Sequence, residues 1–151
     1  MRANRKSVFH RVEISMSLNF QEFGRKLGRR SYDRIIIPGA IVSWVLTGQK
    51  SFSDQTSPLS DITKGGLSFL TNDPPTVGSE ITLRIFLPKK TGTFDLIGKV
   101  IYSRARGPRL TYGYRIGVEL IPFTQTDGCN SLQSLSMIEA LIRKYGKRKW
   151  K

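Results

Sequence analysis

Ile81-Thr82-Leu83-Arg84-Ile85-Phe86-Leu87 is the stretch on which the fold turns. Ile81, Leu83, Ile85 and Leu87 fall on one side of an extended chain, and Thr82 and Arg84 fall on the other. This period of two marks a strand with one buried face. Lys89-Lys90-Thr91-Gly92 then turns the chain, and Phe94, Leu96, Val100 and Tyr102 resume the same parity. After a basic loop, Arg104-Ala105-Arg106-Gly107-Pro108-Arg109, the residues Tyr114, Ile116, Val118 and Leu120 share a face, with Arg115 and Glu119 opposite.

The same reading extends upstream. Leu67 and Phe69 alternate with Ser68 until Asn72-Asp73-Pro74-Pro75 breaks the pattern. Ile35 to Leu46 is apolar and β-branched, and Pro38-Gly39 interrupts it, which predicts one kinked or bulged strand. Gly48 to Pro58 is polar and reads as a hairpin loop with a strand around Phe52. Helical spacing occurs only near the two ends. Asn19 and Glu22 form a capping-box pair ahead of Phe20, Phe23 and Leu27, so a short helix is expected over about 20–27. Near the other end, Asn130 is the expected cap and Gln133 the third helical residue. Leu132, Leu135, Ile138, Leu141 and Ile142 form an apolar stripe that Gly146 closes. Strands joined by turns, with no helix between them, imply an antiparallel sheet closed into a small barrel, followed by a C-terminal helix.

The chain has 151 residues, enough for one domain with extensions. A domain of that size buries roughly 68–70% of its unfolded surface, so a core forms without staples. Cys129 is the single cysteine, which excludes an intrachain disulfide and fits a reducing, cytoplasmic setting. No run of 18 or more apolar residues occurs, so no transmembrane segment is expected. The basic start, Met1 to Lys6, lacks the apolar stretch of a signal peptide. The net charge of +14 predicts attraction to polyanions: nucleic acid, anionic lipid or a phosphate-bearing ligand.

Catalysis finds no support in these residues. His10 is the only histidine, so Cys129 has no evident base. The 11 carboxylates form no evident cluster for acid–base work or for metal ligation, so no catalytic residue and no metal site are expected. Gly65-Gly66 is not a phosphate loop, since no GxxxxGK[ST] pattern is present. Binding is the better reading. Arg30 and Arg34 can grip phosphate or stack on a purine. Asp33 and Asp61 can accept hydrogen bonds from a guanine edge, Thr63 offers a hydroxyl, and Gly65-Gly66 allows close backbone approach. On these grounds alone, a solvated charge run with a tight turn explains the same residues equally well.

Arg30-x-x-x-Arg34, just ahead of the first strand, resembles the RxxxR motif of PilZ domains. Arg25 and Arg29 share that spacing, but Arg30 and Arg34 abut the strand. Asp61-x-Thr63-x-x-Gly66 resembles the family's (D/N)xSxxG motif, with threonine in place of serine. The continuation Gly65-Gly66-Leu67 and the strand Tyr114-Arg115-Ile116-Gly117-Val118 look alike too, and the similarity covers about residues 28–123. The resemblance implies a mainly β fold: a six-stranded antiparallel split β-barrel with an appended C-terminal helix, binding cyclic di-GMP, a bacterial second messenger. It divides the chain into an extension over 1–27, the barrel over 28–123, and the helix and basic tail over 124–151. Arg30 and Arg34 would hold phosphate and guanine from an arm, with Arg29 adding a phosphate contact. Asp61, Thr63, Gly65 and Gly66 would form the opposing surface. The implied function is a non-enzymatic receptor or adaptor, without cofactor, whose arm orders on ligand binding and signals to an unidentified protein partner. Two alternatives stay open: a basic small barrel that binds nucleic acid, and a PilZ-like interaction module that no longer binds nucleotide. Trp44 and Tyr102 read as barrel packing, and Arg104, Arg106 and Arg109 as a solvated loop.

Overall fold

The structure, a computed structural model, describes residues 34–49, 51–52 and 55–146. The expected helix at 20–27 and the basic tail at 147–151 lie outside these residues. Six strands form, β1 (Ile41–Leu46), β2 (Ser57–Ile62), β3 (Gly66–Thr71), β4 (Glu80–Phe86), β5 (Thr93–Ala105) and β6 (Tyr114–Leu120), and one helix follows, α1 (Leu132–Tyr145). Every pairing is antiparallel, and the order β1-β2-β3-β6-β5-β4 closes into a barrel. Closure removes the exposed edges that an open sheet of this composition would present. Alternation on β4 fills the interior as expected, with Ile81, Leu83 and Ile85 fully buried against Phe69, Leu96, Ile116 and Val100.

The apolar run after Arg34 is not one strand. Pro38-Gly39 forms a turn closed by the Ala40 N–H donating to the Ile37 carbonyl, with Gly39 at φ 87°. Proline followed by a left-handed glycine is what such a turn requires. Ahead of it, Ile35 makes an isolated antiparallel bridge to Ile62, both bonds 3.1 Å, and β1 begins only at Ile41. The polar segment 48–58 hides the start of β2, a strand that composition does not announce. β1 and β2 pair only at Ile41–Pro58 and Val42–Ser57. Pro58 has no N–H to offer a ladder, so it sits where the pairing ends. No strand forms at Phe52, whose ring instead lies 4.4 Å from the Arg84 guanidinium.

Two bulges interrupt the barrel's alternation. One lies between Leu59 and Asp61 on β2, the other between Val100 and Tyr102 on β5. A one-residue insertion moves every later side chain to the opposite face. Tyr102 therefore leaves the interior parity expected of it and stands outside, paired with Gly117.

Helix α1 lays Ile138 and Leu141 on the core, and a Cβ built on Gly146 would stand 3.4 Å from Ile35. Leu132, expected in the buried stripe, is exposed. The cap is Ser131, whose hydroxyl accepts from the Ser134 N–H, rather than Asn130. Asn130 is buried and does other work. Its amide accepts from Ile97 N–H and donates to the carbonyls of Ile97 (2.9 Å) and Ile121 (2.7 Å), pinning the approach to α1 against β5. Removing that amide strands the Ile97 N–H and the Ile121 carbonyl, each costing roughly 1 kcal/mol or more when buried, while the Ile97 carbonyl keeps the Ile121 N–H. Asn130→Ala is expected to destabilise the protein by about 2 kcal/mol in urea denaturation, and Asn130→Asp by a similar amount because two donors are lost.

Candidate functional site

The site is built where β2 turns into β3. Thr63-Lys64-Gly65-Gly66 closes this hairpin through the Thr63 N–H and the Gly66 carbonyl, 2.7 Å apart. The Thr63 hydroxyl accepts from the N–H groups of Gly65 (2.9 Å) and Gly66 (3.0 Å) and donates to the Gly66 carbonyl. One donor and two acceptor positions are all a hydroxyl has. The Thr63 hydroxyl is therefore fully engaged inside the turn. Gly65 gives its carbonyl to the Leu120 N–H. Gly66 lies so close to β6 that a Cβ would meet the Val118 carbonyl oxygen at 2.6 Å. Its missing side chain serves strand packing.

The bulge on β2 carries Asp61 to the outer face, where its side chain retains 12% exposure. Oδ2 accepts from Arg34 Nη1 at 2.6 Å and from Arg115 Nη2 at 3.2 Å, and Oδ1 accepts from the Ser68 hydroxyl at 3.0 Å. Arg115 Nη2 also donates to the Ser68 hydroxyl, which closes the network. A carboxylate this enclosed requires such pairing, because its desolvation costs several kcal/mol (about) when uncompensated. Arg34 reaches Asp61 because the Ile35–Ile62 bridge fixes its backbone beside the end of β2.

Register extends the site sideways. Asp61 is opposite Ser68, Ser68 opposite Gly117, and Gly117 opposite Tyr102, a single row across β2, β3, β6 and β5. A Cβ on Gly117 would overlap the Tyr102 ring, so the ring lies flat over that glycine. Arg104, 4.4 Å from the centre of the same ring, stands opposite Arg115 in the next row. The outer surface thus offers a carboxylate, three guanidinium groups and an aromatic plate.

Of the residues expected to form a ligand site, the structure brings Arg34 and Asp61 into contact, with Thr63, Gly65 and Gly66 in the adjoining turn. Arg29 and Arg30 lie outside the described residues. Sequence reasoning passed over Ser68 and Arg115, and it assigned Tyr102 to packing. Arg115 was visible as the charged residue facing outward between Tyr114 and Ile116; nothing in the alternation marks a bulge. Two cavities lie elsewhere. One of about 760 Å³ separates the outer face of β4 and β5 from the start of α1, and includes Arg84, bonded twice to Asp95 at 2.8 and 3.0 Å. That pairing raises the Arg84 pKa. The other, about 280 Å³, lies beside Trp44, Ser57 and Thr71. Neither is lined by Asp61.

The family model of the PilZ domain matches residues 28–137. The chain belongs to the PilZ domain family. Solved structures share the fold. Against the c-di-GMP-bound PilZ domain of YcgR from Escherichia coli the TM-score is 0.55 at 18% identity, covering 82% of this chain and 98% of that one. Against the Bacillus subtilis inhibitor of motility, MotI/DgrA, it is 0.54 at 17% identity, covering 81% and 51%. Against the K. pneumonia MrkH–c-di-GMP complex it is 0.55 at 16% identity, covering 80% and 55%. The chain thus spans about half the length of MotI/DgrA and MrkH. No curated protein matches it.

If the Thr63 hydroxyl belongs to the turn, Thr63→Ser should be nearly neutral in thermal denaturation. Thr63→Val, which strands two N–H groups, should cost about 2 kcal/mol.

Proposed function

We propose that this PilZ domain is a non-enzymatic receptor for cyclic di-GMP, bound on the outer face of β2, β3, β6 and β5. The observation that carries the reading is the Arg34–Asp61–Arg115 cluster, whose carboxylate shares one row with the outward-turned Tyr102. A cyclic dinucleotide has two phosphodiesters, two purine faces and two guanine edges. Arginines meet phosphates bidentately. A carboxylate accepts from the N1–H and N2 amino group of guanine, and a flat phenol ring receives a base by stacking, worth about 1–3 kcal/mol. Arg34, with Arg29 and Arg30 just before it in the chain, takes the phosphate role, Asp61 the guanine edge, and Tyr102 the purine face once the Arg104 guanidinium swings off its ring. Thr63, Gly65 and Gly66 form the adjoining surface and shape the hairpin that holds Asp61 in place. Arg115 and Ser68 orient the carboxylate.

Ligand binding then draws Arg34 off Asp61, reorders the arm that precedes it, and alters the surface offered to a protein partner in the cytoplasm. Titration calorimetry with cyclic di-GMP at moderate salt tests the reading. Wild type should bind, Arg30→Ala and Arg34→Ala should each weaken binding at least tenfold, and Tyr102→Ala should weaken it about tenfold. Absence of measurable binding by the wild-type protein would sink it. Arg115→Ala should chiefly erode discrimination between cyclic di-GMP and its inosine analogue, which lacks the N2 amino group.

A further inference from the structure

Between Asp95 and Glu119 the chain carries Lys99, Arg104, Arg106, Arg109 and Arg115 and no carboxylate. These residues make the β5–β6 hairpin, and its tip is held in shape. The Arg106 N–H bonds the Gly113 carbonyl, and its guanidinium bonds the Tyr112 carbonyl at 2.9 Å. Asn72 clamps the same tip from outside, bonding the Thr111 carbonyl and the Gly113 N–H at 3.1 and 2.7 Å. Arg109 has no carboxylate partner among the described residues. Next to it Leu110 is 49% exposed at the turn. The 72–79 connection runs alongside, bonded to Val100 through Gly78 and Ser79, and adds Val77 at 51% exposure beside the bulged Ile101 at 48%.

We infer that this tip docks on an anionic lipid bilayer, Arg109 meeting phosphodiester head groups and Leu110 entering the acyl boundary. Arginine forks match phosphate oxygens whether these belong to lipid or nucleic acid. The exposed aliphatic side chains decide between them: hydrocarbon gains from burial in a bilayer and gains little against a sugar–phosphate backbone. Rigidity favours docking too, since the hairpin has little conformational entropy left to lose. The inference does not rest on cyclic di-GMP binding, because Arg109 and Leu110 are outside the Asp61 row.

Co-sedimentation of the full chain with phosphatidylcholine vesicles, with and without phosphatidylglycerol, tests it, alongside duplex DNA and a polyglutamate peptide as competing probes. Partition should require phosphatidylglycerol, fall about fivefold in Arg109→Ala and about tenfold in Leu110→Glu, and persist in Leu110→Phe. These variants should keep the wild-type melting temperature. Absence of phosphatidylglycerol-dependent partition overturns the inference. So does partition that the tip variants leave undiminished, which assigns it to other cations of the chain. Tip-dependent binding to DNA or polyglutamate without vesicle binding overturns it in favour of a nucleic-acid or protein surface.

Discussion

An enclosed carboxylate on the outside of a barrel is the constraint around which this molecule is arranged. Asp61 has little contact with water, and donors reach it from three separate parts of the chain: Arg34 before β1, Ser68 on β3 and Arg115 on β6. Each depends on a different structural device. Arg34 needs the Ile35–Ile62 bridge, Ser68 needs the register of the hairpin, and Arg115 needs Gly66 to let β3 and β6 approach. Placing one negative charge thus fixes a tether, a turn and a strand pair.

Much of the barrel was legible because alternation survives wherever a strand is regular. β4 and β6 show period two without interruption, and the burial of Ile81, Leu83, Ile85, Ile116 and Val118 follows it. What escaped reading was what breaks the period. Ser57-Pro58-Leu59-Ser60-Asp61-Ile62 has proline, two serines and an aspartate, and so looks like loop. It is a strand because both its neighbours are already in place, and its bulge spoils the one remaining clue. The same holds for Tyr102, whose parity matches Val100 in sequence and whose bulge turns it outward. Bulges are set by tertiary pairing, which local propensity does not encode. The candidate site falls where both occur, so the signals that found Arg34 and Asp61 were motif spacings and not periodicity.

Asn130 and Ser131 give the same lesson on a smaller scale. Both are good cap residues, and propensity alone prefers neither. The choice is made by the Ile97 N–H and the Ile121 carbonyl, which would lack partners if Asn130 were used on the helix. Tertiary demand for hydrogen bonds outranks local preference when the groups are buried. Thr63 reverses the order: here the hydroxyl serves a local turn.

The geometry at Asp61 also bears on how an arm and a guanine would be coupled. A carboxylate offers about four acceptor positions, two on each oxygen. Oδ2 has both filled by Arg34 and Arg115, and Oδ1 has one filled by Ser68. Withdrawal of Arg34 leaves one open position on each oxygen, the pattern that the adjacent N1–H and N2–H donors of guanine require. On the proposed reading the guanidinium and the base would compete for Oδ2, and guanine would engage both oxygens only once Arg34 withdraws. Without ligand the departure is unfavourable, since a hydrogen bond between charged groups, worth about 1.5–3 kcal/mol, is given up while Arg115 stays on the carboxylate. A ligand bearing both guanine and phosphate offsets that cost at two points, giving Asp61 new donors and Arg34 a new anion. Nucleobase alone or phosphate alone supplies half of the exchange, and on the proposed reading this is what makes the response selective for a molecule containing both.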